Sequence, residues 1–396
     1  PEVAYIVEDS GARWMFTDAH REFAGLERVV TFGDAYERCL HEAGPDDISD
    51  HVLGRPMHYT SGTTGHPKGV WVPPYSERRA AGVAQDFIRL WGLSSDDVHL
   101  VCSPLVHSAP LRFSIRTLEA GGKISIQPRF DAEETLAAIE FFGATTTFMV
   151  PTHLERIFAL GRKTLARHDL SSIRLLVHAG APIREATKRD TIDTFPQGSV
   201  WEFYGATEGQ ATRISSAEWL RKPGSVGTPN PGVEILVTSA SDEPLKAHAV
   251  GEVWIKDPRI DRFEYWGDKA KTRAAWRDDA FTVGDLGWLD DDGYLWLAGR
   301  KHDTIITGGV NVYPQEVERV LLDHPAVAEV SVYGANHPEW GQEVRALVVP
   351  VPGLPLDAKL LRAWARERLA GYKCPRVIEL VDDLDRTPTG KIKRPT

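Results

Sequence analysis

Short apolar runs that alternate with helix-patterned stretches constrain the fold of this chain more than any other feature. They occupy the region between a glycine- and hydroxyl-rich loop at residues 61–68 and about residue 215. Lys123 to Gln127, Thr145 to Val150 and Ile173 to His178 are rich in β-branched or apolar residues, and each is bounded by Gly or Pro. Helical patterns lie between, at Asp131 to Phe142 and Ile183 to Phe195. That alternation predicts a parallel sheet with helical crossovers. From about Gly224 to Gly299 the pattern changes to short strands separated by Gly, Pro and Asp turns, which predicts a β-rich subdomain.

A smaller unit begins after Arg300. Pro314 sits where a helix could start, with Val317, Val320 and Leu321 as its apolar face. Alternating strands follow at Val327 to Tyr333 and Arg345 to Val349. A second helix is expected over Asp357 to Ala370, with Leu360, Leu361, Trp364 and Leu369 at helical spacing. The predicted fold class is therefore α/β: a large N-terminal domain of mostly parallel sheet with a β-rich subdomain, then a small α+β C-terminal domain.

A chain of 396 residues can bury the cores of two such domains. Its net charge is −10 with both signs interspersed, which argues against a nucleic-acid surface. The three cysteines, Cys39, Cys102 and Cys374, are scattered and form neither a disulfide framework nor a metal pattern, which suits a reducing cytoplasm. The fourteen histidines show no ligand spacing. No signal peptide is expected, and no apolar run approaches the roughly 18 residues of a transmembrane helix.

The loop Ser61-Gly62-Thr63-Thr64-Gly65-His66-Pro67-Lys68 follows Met57-His58-Tyr59-Thr60. It offers backbone N–H groups, hydroxyls and one positive charge within a few residues, the chemistry that holds a polyphosphate. Two familiar phosphate loops are excluded. Lys68 follows Pro67 and precedes Gly69, so the Gly-x4-Gly-Lys-[Ser/Thr] register fails, and no Gly-x-Gly-x-x-Gly spacing occurs. The alternative is a surface turn, since Ser, Gly, Thr and Pro are ordinary turn formers.

Further motifs follow in order. They are Tyr204-Gly205-Ala206-Thr207-Glu208, Val283-Gly284-Asp285, Gly299-Arg300 running to Gly308-Gly309 and Asn311, and Pro388-Thr389-Gly390-Lys391. Together with the loop they resemble the signature series of the adenylate-forming superfamily: acyl-CoA synthetases, peptide-synthetase adenylation domains and luciferases. The resemblance spans nearly the whole chain. In family members the phosphate loop sits deeper in the sequence, so an N-terminal piece is expected to be missing here.

The resemblance implies ATP-dependent activation of a carboxylic acid to an acyl-adenylate, with Mg²⁺, followed by transfer to the thiol of coenzyme A. Thr60, Ser61, Gly62, Thr63, Thr64 and Gly65 would bind the β- and γ-phosphates, with Lys68 adding charge; a solvated loop lysine is the alternative. Gly180, Ala181 and Pro182 match the stretch that lines the adenine pocket. Tyr204 would stack on adenine beside Gly205, Thr207 would donate to the α-phosphate, and Glu208 would bind Mg²⁺, which favours carboxylate, water and phosphate oxygens. The competing reading makes Tyr204 core and Glu208 solvated. Asp285 has two acceptor oxygens for the ribose hydroxyls, and the Arg300 fork could meet the same sugar. Lys391 would bridge the attacking carboxylate and the α-phosphate as the principal catalytic side chain.

Lys391 and the phosphate loop belong to different domains. The resemblance therefore implies a mobile C-terminal domain, 303–396, turning about a hinge at 300–302 against the domain 1–299. The hinge residue, usually Asp or Lys, is His302 here, a residue that titrates near neutral pH; a plain loop histidine is the alternative. Gly308 and Gly309 would allow close approach of the pantetheine arm. The acyl pocket maps to His107, Ser108, Pro110, Phe113, His178, Ala179, Ala206 and Gln210. His107 would gate it or pack in the core, and Arg112 would meet a second carboxylate or form a surface salt bridge. The acid is aliphatic, aromatic or alicyclic. A carrier-protein thiol is the alternative acceptor, a non-catalytic nucleotide-binding protein is the reading from another class, and a homodimer remains open.

Overall fold

The structure is a computed structural model that describes residues 2–19, 23–43, 54–60, 67–386 and 392–395. Its largest sheet has seven strands in the order Thr228–Pro229, Gln210–Ser215, Val200–Gly205, Leu175–His178, Thr146–Met149, Val98–Val101 and Lys123–Ile126. The last five run parallel, and the first two pair antiparallel. Thr146–Met149 and Leu175–His178 are buried at every position, so no alternating pattern marks them. Helices Ala132–Phe142 and Glu185–Thr194 fall where the sequence pattern places them. The first is capped by Asp131, which accepts from Glu134 N, and ends on Gly143 in the left-handed region.

Strand order reverses once. The chain passes from Val98–Val101 outward to Lys123–Ile126, then returns to Thr146–Met149 on the other side. The crevice at the carboxyl ends of these strands is where open α/β sheets bind ligands. The segment leading to His107 leaves the sheet at that point.

At the opposite end of the same strands one carboxylate fixes their starts. Asp97, 1% exposed, accepts from Ser94 N at 2.8 Å, Thr145 Oγ1 at 2.7 Å and Arg174 Nε at 2.8 Å. Those donors belong to the segments entering three neighbouring strands, so a single buried charge aligns them.

A second, antiparallel sheet takes Trp276–Arg277, Ala280–Phe281, Gly251–Lys256, Asp285–Leu289 and Leu295–Arg300, with Glu234–Thr238 also on Gly251–Lys256. A three-stranded sheet joins Glu264–Tyr265, Lys68–Trp71 and His58–Thr60. Its register sets Thr60 opposite Lys68.

After residue 300 the chain builds its own sheet from Val310–Val312, Ile305–Thr307, Gly341–Pro350, Val327–His337 and Val377–Leu380. Helices Pro314–Leu322 and Ala358–Arg366 pack on it through Val317, Leu321, Leu361 and Ala365. Two expectations need correction. The second helix stops at Arg366, short of Ala370. Leu360 is 70% exposed while Leu361 is buried, because adjacent helical residues point about 100° apart and only one can face the sheet. The family-independent outcome is a mixed α/β fold, as expected. Among the described residues no helix is long and apolar enough to cross a membrane.

Burial alone would push the Asp97 carboxyl up, but the bonds from Arg174, Thr145 and Ser94 outweigh it and hold the group below the ordinary aspartate range. The folded state therefore favours the carboxylate, and its stabilisation is present at neutral pH and lost as acid protonates the folded group. Asp97→Asn is expected to cost about 2–3 kcal/mol at pH 7. Urea midpoints measured for both proteins from pH 7 downward should converge below the ordinary aspartate range.

Candidate active site

Strand Val200–Gly205 divides its side chains between two environments. Trp201 and Phe203 face the cluster of Phe87, Trp91, Phe113, Phe148, Leu175, Val177 and Ala179, whereas Val200, Glu202 and Tyr204 are buried on the other side. The strand ends in a tight reversal, with Ala206 N donating to Gly209 O at 2.8 Å and Gly209 N donating back to Ala206 O at 3.2 Å. That reversal requires glycine at both ends. A Cβ on Gly205 would lie 2.6 Å from Gly209 O, and one on Gly209 would lie 2.8 Å from Phe281 Cζ. Thr207 and Glu208 are thereby carried at the tip.

Tyr204 reaches across to the second sheet. Its hydroxyl donates to Asp285 Oδ2 at 2.8 Å, and Arg300 Nε meets Asp285 Oδ1 at 3.1 Å. Asp285 and Arg300 are register partners on adjacent strands, so the pairing is set by the sheet itself. Burial, then the Asp285 charge, raises the Tyr204 hydroxyl well above its usual range, so it remains a donor. The ring is packed with Val70, Ala211 and Phe263.

Glu208 is half-buried and partnered rather than freely solvated. Tyr265 donates to its Oε1 at 2.8 Å, and Lys68 lies within electrostatic reach. Burial raises the Glu208 carboxyl, and the Tyr265 bond partly offsets that shift. Sequence reasoning missed both Tyr265 and Gly209. Gly209 directly follows the Tyr204–Glu208 motif and was legible there, whereas Tyr265 lies 57 positions from its partner and carries no local signal.

Among the described residues no group of three His, Cys, Asp or Glu side chains could hold a metal. A single carboxylate suits Mg²⁺, which keeps several waters and is commonly bound by one or two carboxylates plus substrate phosphates. Glu208, held by a phenol and facing a lysine, fits that role.

Gly180, Ala181 and Pro182 follow strand Leu175–His178 as an exposed turn, with Gly180 at φ 93°. The acyl-pocket residues divide. Phe113, Pro110 and Ala179 are buried on the aromatic side, and Phe113 lies 5.1 Å from Phe87 and 5.8 Å from Phe148, centroid to centroid. Ser108, Ala206 and Gln210 are half-buried, and Gln210 Nε2 is a buried donor without a partner among the described residues. His107 caps helix Ser108–Glu119 and is exposed, so the packed-core alternative for it is wrong.

His178 is not on the aromatic face. Strand alternation turns it toward helix Glu185–Thr194, where the fully buried Lys188 ammonium donates to His178 Nε2 and to Glu202 Oε2 at 3.2 Å. Burial, reinforced by the adjacent lysine, keeps His178 neutral.

Lys301, His302 and Asp303 form one 3-10 turn after Arg300. Lys301 Nζ meets Glu252 Oε2 at 2.8 Å, and His302 Nε2 meets Asp303 Oδ1 at 3.3 Å. Gly308 and Gly309, at φ 56° and 78°, make the two-residue turn between Ile305–Thr307 and Val310–Val312. Consecutive positive φ values are what a type I′ hairpin requires. Ser61, Gly62, Thr63, Thr64, Gly65 and Lys391 lie outside the described residues.

Comparison with known proteins decides the family. The model of the AMP-binding enzymes matches residues 1–262, and that of their C-terminal domain matches 316–391. This chain belongs to the AMP-binding enzyme family. It is an adenylate-forming acyl-CoA synthetase. It is 35% identical to an indoleacetate–CoA ligase of Aromatoleum aromaticum over 91% of this chain and 70% of that protein. A feruloyl-CoA synthase of an Amycolatopsis species is 34% identical over 99% of this chain and 80% of its own length. Among solved structures, o-succinylbenzoate CoA synthetase of Bacillus subtilis with its acyl-adenylate superposes with a TM-score of 0.85. It is 29% identical, with 99% of this chain and 79% of that one covered.

Two variants probe this geometry. Tyr204→Phe removes the donor on Asp285 and is expected to raise the KM for ATP about tenfold while the fold persists; steady-state kinetics at saturating acid read it. Lys188→Met strands Glu202 and His178 in the interior and is expected to cost about 3 kcal/mol of stability, measured by the urea midpoint.

Proposed function

We propose that the site formed around Tyr204, Glu208, Asp285 and Arg300 activates a carboxylic acid with ATP and passes the acyl group to coenzyme A. A carboxylate oxygen of the acid attacks the α-phosphorus. The bond from that phosphorus to the bridging oxygen breaks, and pyrophosphate leaves with the electron pair. The thiol sulfur of coenzyme A then attacks the acyl carbon, AMP departs as the leaving group, and the thiol proton passes to solvent. The observation that carries this reading is Asp285, buried between the Tyr204 hydroxyl and the Arg300 guanidinium.

On this reading Asp285 and Arg300 hold the ribose, Gly180, Ala181 and Pro182 border adenine, and the Tyr204 hydroxyl orients Asp285. Thr60, the loop 61–65 and Lys68 take the β- and γ-phosphates, with Thr207 donating to the α-phosphate. Mg²⁺ on Glu208 would neutralise phosphate charge. Two anions must meet for the first step, so positioning and neutralisation supply most of the rate. Lys391 bridges them. The domains divide at 300–302, and Gly308–Gly309 gives the pantetheine arm a side-chain-free approach. The acid lies along Ser108, Pro110, Phe113, Ala179, Ala206 and Gln210. Two buried thiols, Cys102 and Cys374, and the partly buried Cys39 are free, which supports a reducing cytoplasm as the compartment.

Pyrophosphate release with indoleacetate, ferulate, 2-succinylbenzoate and palmitate, each with and without coenzyme A, tests the reaction. Release coupled to loss of free thiol is expected for at least one acid. Release without thiol consumption would favour the carrier-protein acceptor, for which a fatty acid–[acyl-carrier-protein] ligase of Streptomyces coeruleorubidus, 32% identical, is the precedent. Lys391→Ala is expected to lower pyrophosphate release roughly 10²–10³-fold yet largely retain thioester formation from supplied acyl-adenylate. Equal loss of both half-reactions would refute the assignment of that lysine.

A further inference from the structure

Arg112 is the arginine that neither the fold nor the adenylation chemistry accounts for. It sits half-buried on helix Ser108–Glu119, and it makes no ion pair or hydrogen bond with any described residue. The surface salt bridge expected from the sequence is not formed. Its surroundings are cationic. Arg55 lies over the Tyr75 ring at 3.8 Å and meets Asp261 at 3.3 Å, and Arg79 takes the other oxygen of Asp261 at 2.5 Å. Arg116 is paired with Glu119 on its own helix. His58, whose Nδ1 lies 3.2 Å from Val106 O, also feels the Arg112 charge. Four guanidinium groups therefore share two carboxylates, and Arg112 is left over. A half-buried cation without a counter-ion is costly, and an arginine fork matches phosphate or carboxylate oxygens.

We propose that Arg112, supported by Arg55 and Arg116, binds the nucleotide phosphates of coenzyme A on the outer flank of the Ser108–Glu119 helix. The helix geometry selects this ligand over a second carboxylate of the acid. Pro110, Phe113, Ser114 and Thr117 form its buried face, toward the aromatic crevice, whereas Arg112 and Arg116 share a flank outside that face. An acid lying along Phe113 and Ala179 has its body on the inner side. Coenzyme A instead carries its phosphates at the far end of a long flexible arm from its thiol. It must leave those anions outside while the thiol passes inward, and His107, exposed at the helix start, marks the corner between the two sides.

The proposal rests on coenzyme A being the acceptor, and the test separates the two. Calorimetric titration of the full chain with AMP present compares coenzyme A, 3′-dephospho-coenzyme A and pantetheine, for the natural protein and Arg112→Gln. Coenzyme A binding is expected to weaken about tenfold in the variant. The preference for coenzyme A over its less phosphorylated analogues should shrink, and Arg112→Lys should restore part of the loss. Unchanged coenzyme A binding, or equal weakening of all three ligands, overturns the site. A rise in the KM of the acid with coenzyme A binding intact gives Arg112 to the acid and also overturns it. A natural protein that binds none of the three overturns the acceptor reading itself. Should Arg112→Gln fail to fold, Arg116→Gln removes the neighbouring cation and is expected to weaken coenzyme A about threefold, with no change overturning the assignment.

Discussion

Asp285 is the charge around which the large body is organised. It accepts a hydrogen bond from the Tyr204 hydroxyl in the large sheet and faces Arg300 on the strand that leaves for the smaller unit. One carboxylate thus joins two sheets and fixes the last residue before the 3-10 turn. Removing it from water is unfavourable unless its lone pairs are filled. Tyr204 and Arg300 fill one on each oxygen, which leaves acceptor capacity on the same group for a ligand. The strand that carries Tyr204 ends in the Gly205–Gly209 reversal. Glu208 lies within that reversal, where Tyr265 donates to its carboxylate.

Strand alternation then separates two kinds of interior. On one side of Leu175–His178 and Val200–Gly205 lie Ala179, Phe203 and the rings around Phe113, a dry apolar face suited to an organic acid. On the other lies a Lys188 ammonium that holds Glu202 and His178. Desolvation of such a group is expensive, and only hydrogen bonds from all sides offset it. The ionic cluster ties helix Glu185–Thr194 to the last residue of strand Leu175–His178 and to Glu202 within strand Val200–Gly205, so the exposed Gly180–Pro182 turn is anchored on both sides. Asp97 does the same for the strand starts. Charges therefore fix these strands at Asp97 on one side of the sheet's length and at Lys188 toward the other.

The elements of this fold were legible wherever the pattern was local. Strands at residues 123–126, 146–149 and 175–178 and helices at 132–142, 185–194 and 314–322 fall within a residue or two of where apolar runs and caps put them. The Tyr204–Glu208 and Gly284–Asp285 stretches were visible as motifs because short spacing carries them. What the sequence left dark was side-chain pairing at long separation. Tyr265 with Glu208, Asp97 with Arg174 and Tyr204 with Asp285 are joined only by tertiary packing. Orientation within an element was the other gap. His178 and Ala179 look equivalent in a buried run, and so do Leu360 and Leu361 in a helical one, yet a single step along the backbone sends each neighbour to a different face.

The segment after Arg300 is tied unequally on its two sides. Toward the large body the Lys301 N–H donates to Gly284 O at 2.9 Å, and its side chain meets Glu252 in a pair whose lysine is mostly exposed. Such pairs are worth about 0–1 kcal/mol. Toward the smaller unit, Asp303 meets Arg394, which also forks onto Glu318 at 2.8 and 2.9 Å and donates to Val332 O at 3.1 Å. That network is partly buried and multiply bonded, so it is the stronger of the two. The 3-10 turn is thus bonded most heavily through Asp303 to the smaller unit, and just before Arg300 Gly299 sits at φ 150°, in a conformation that side chains resist.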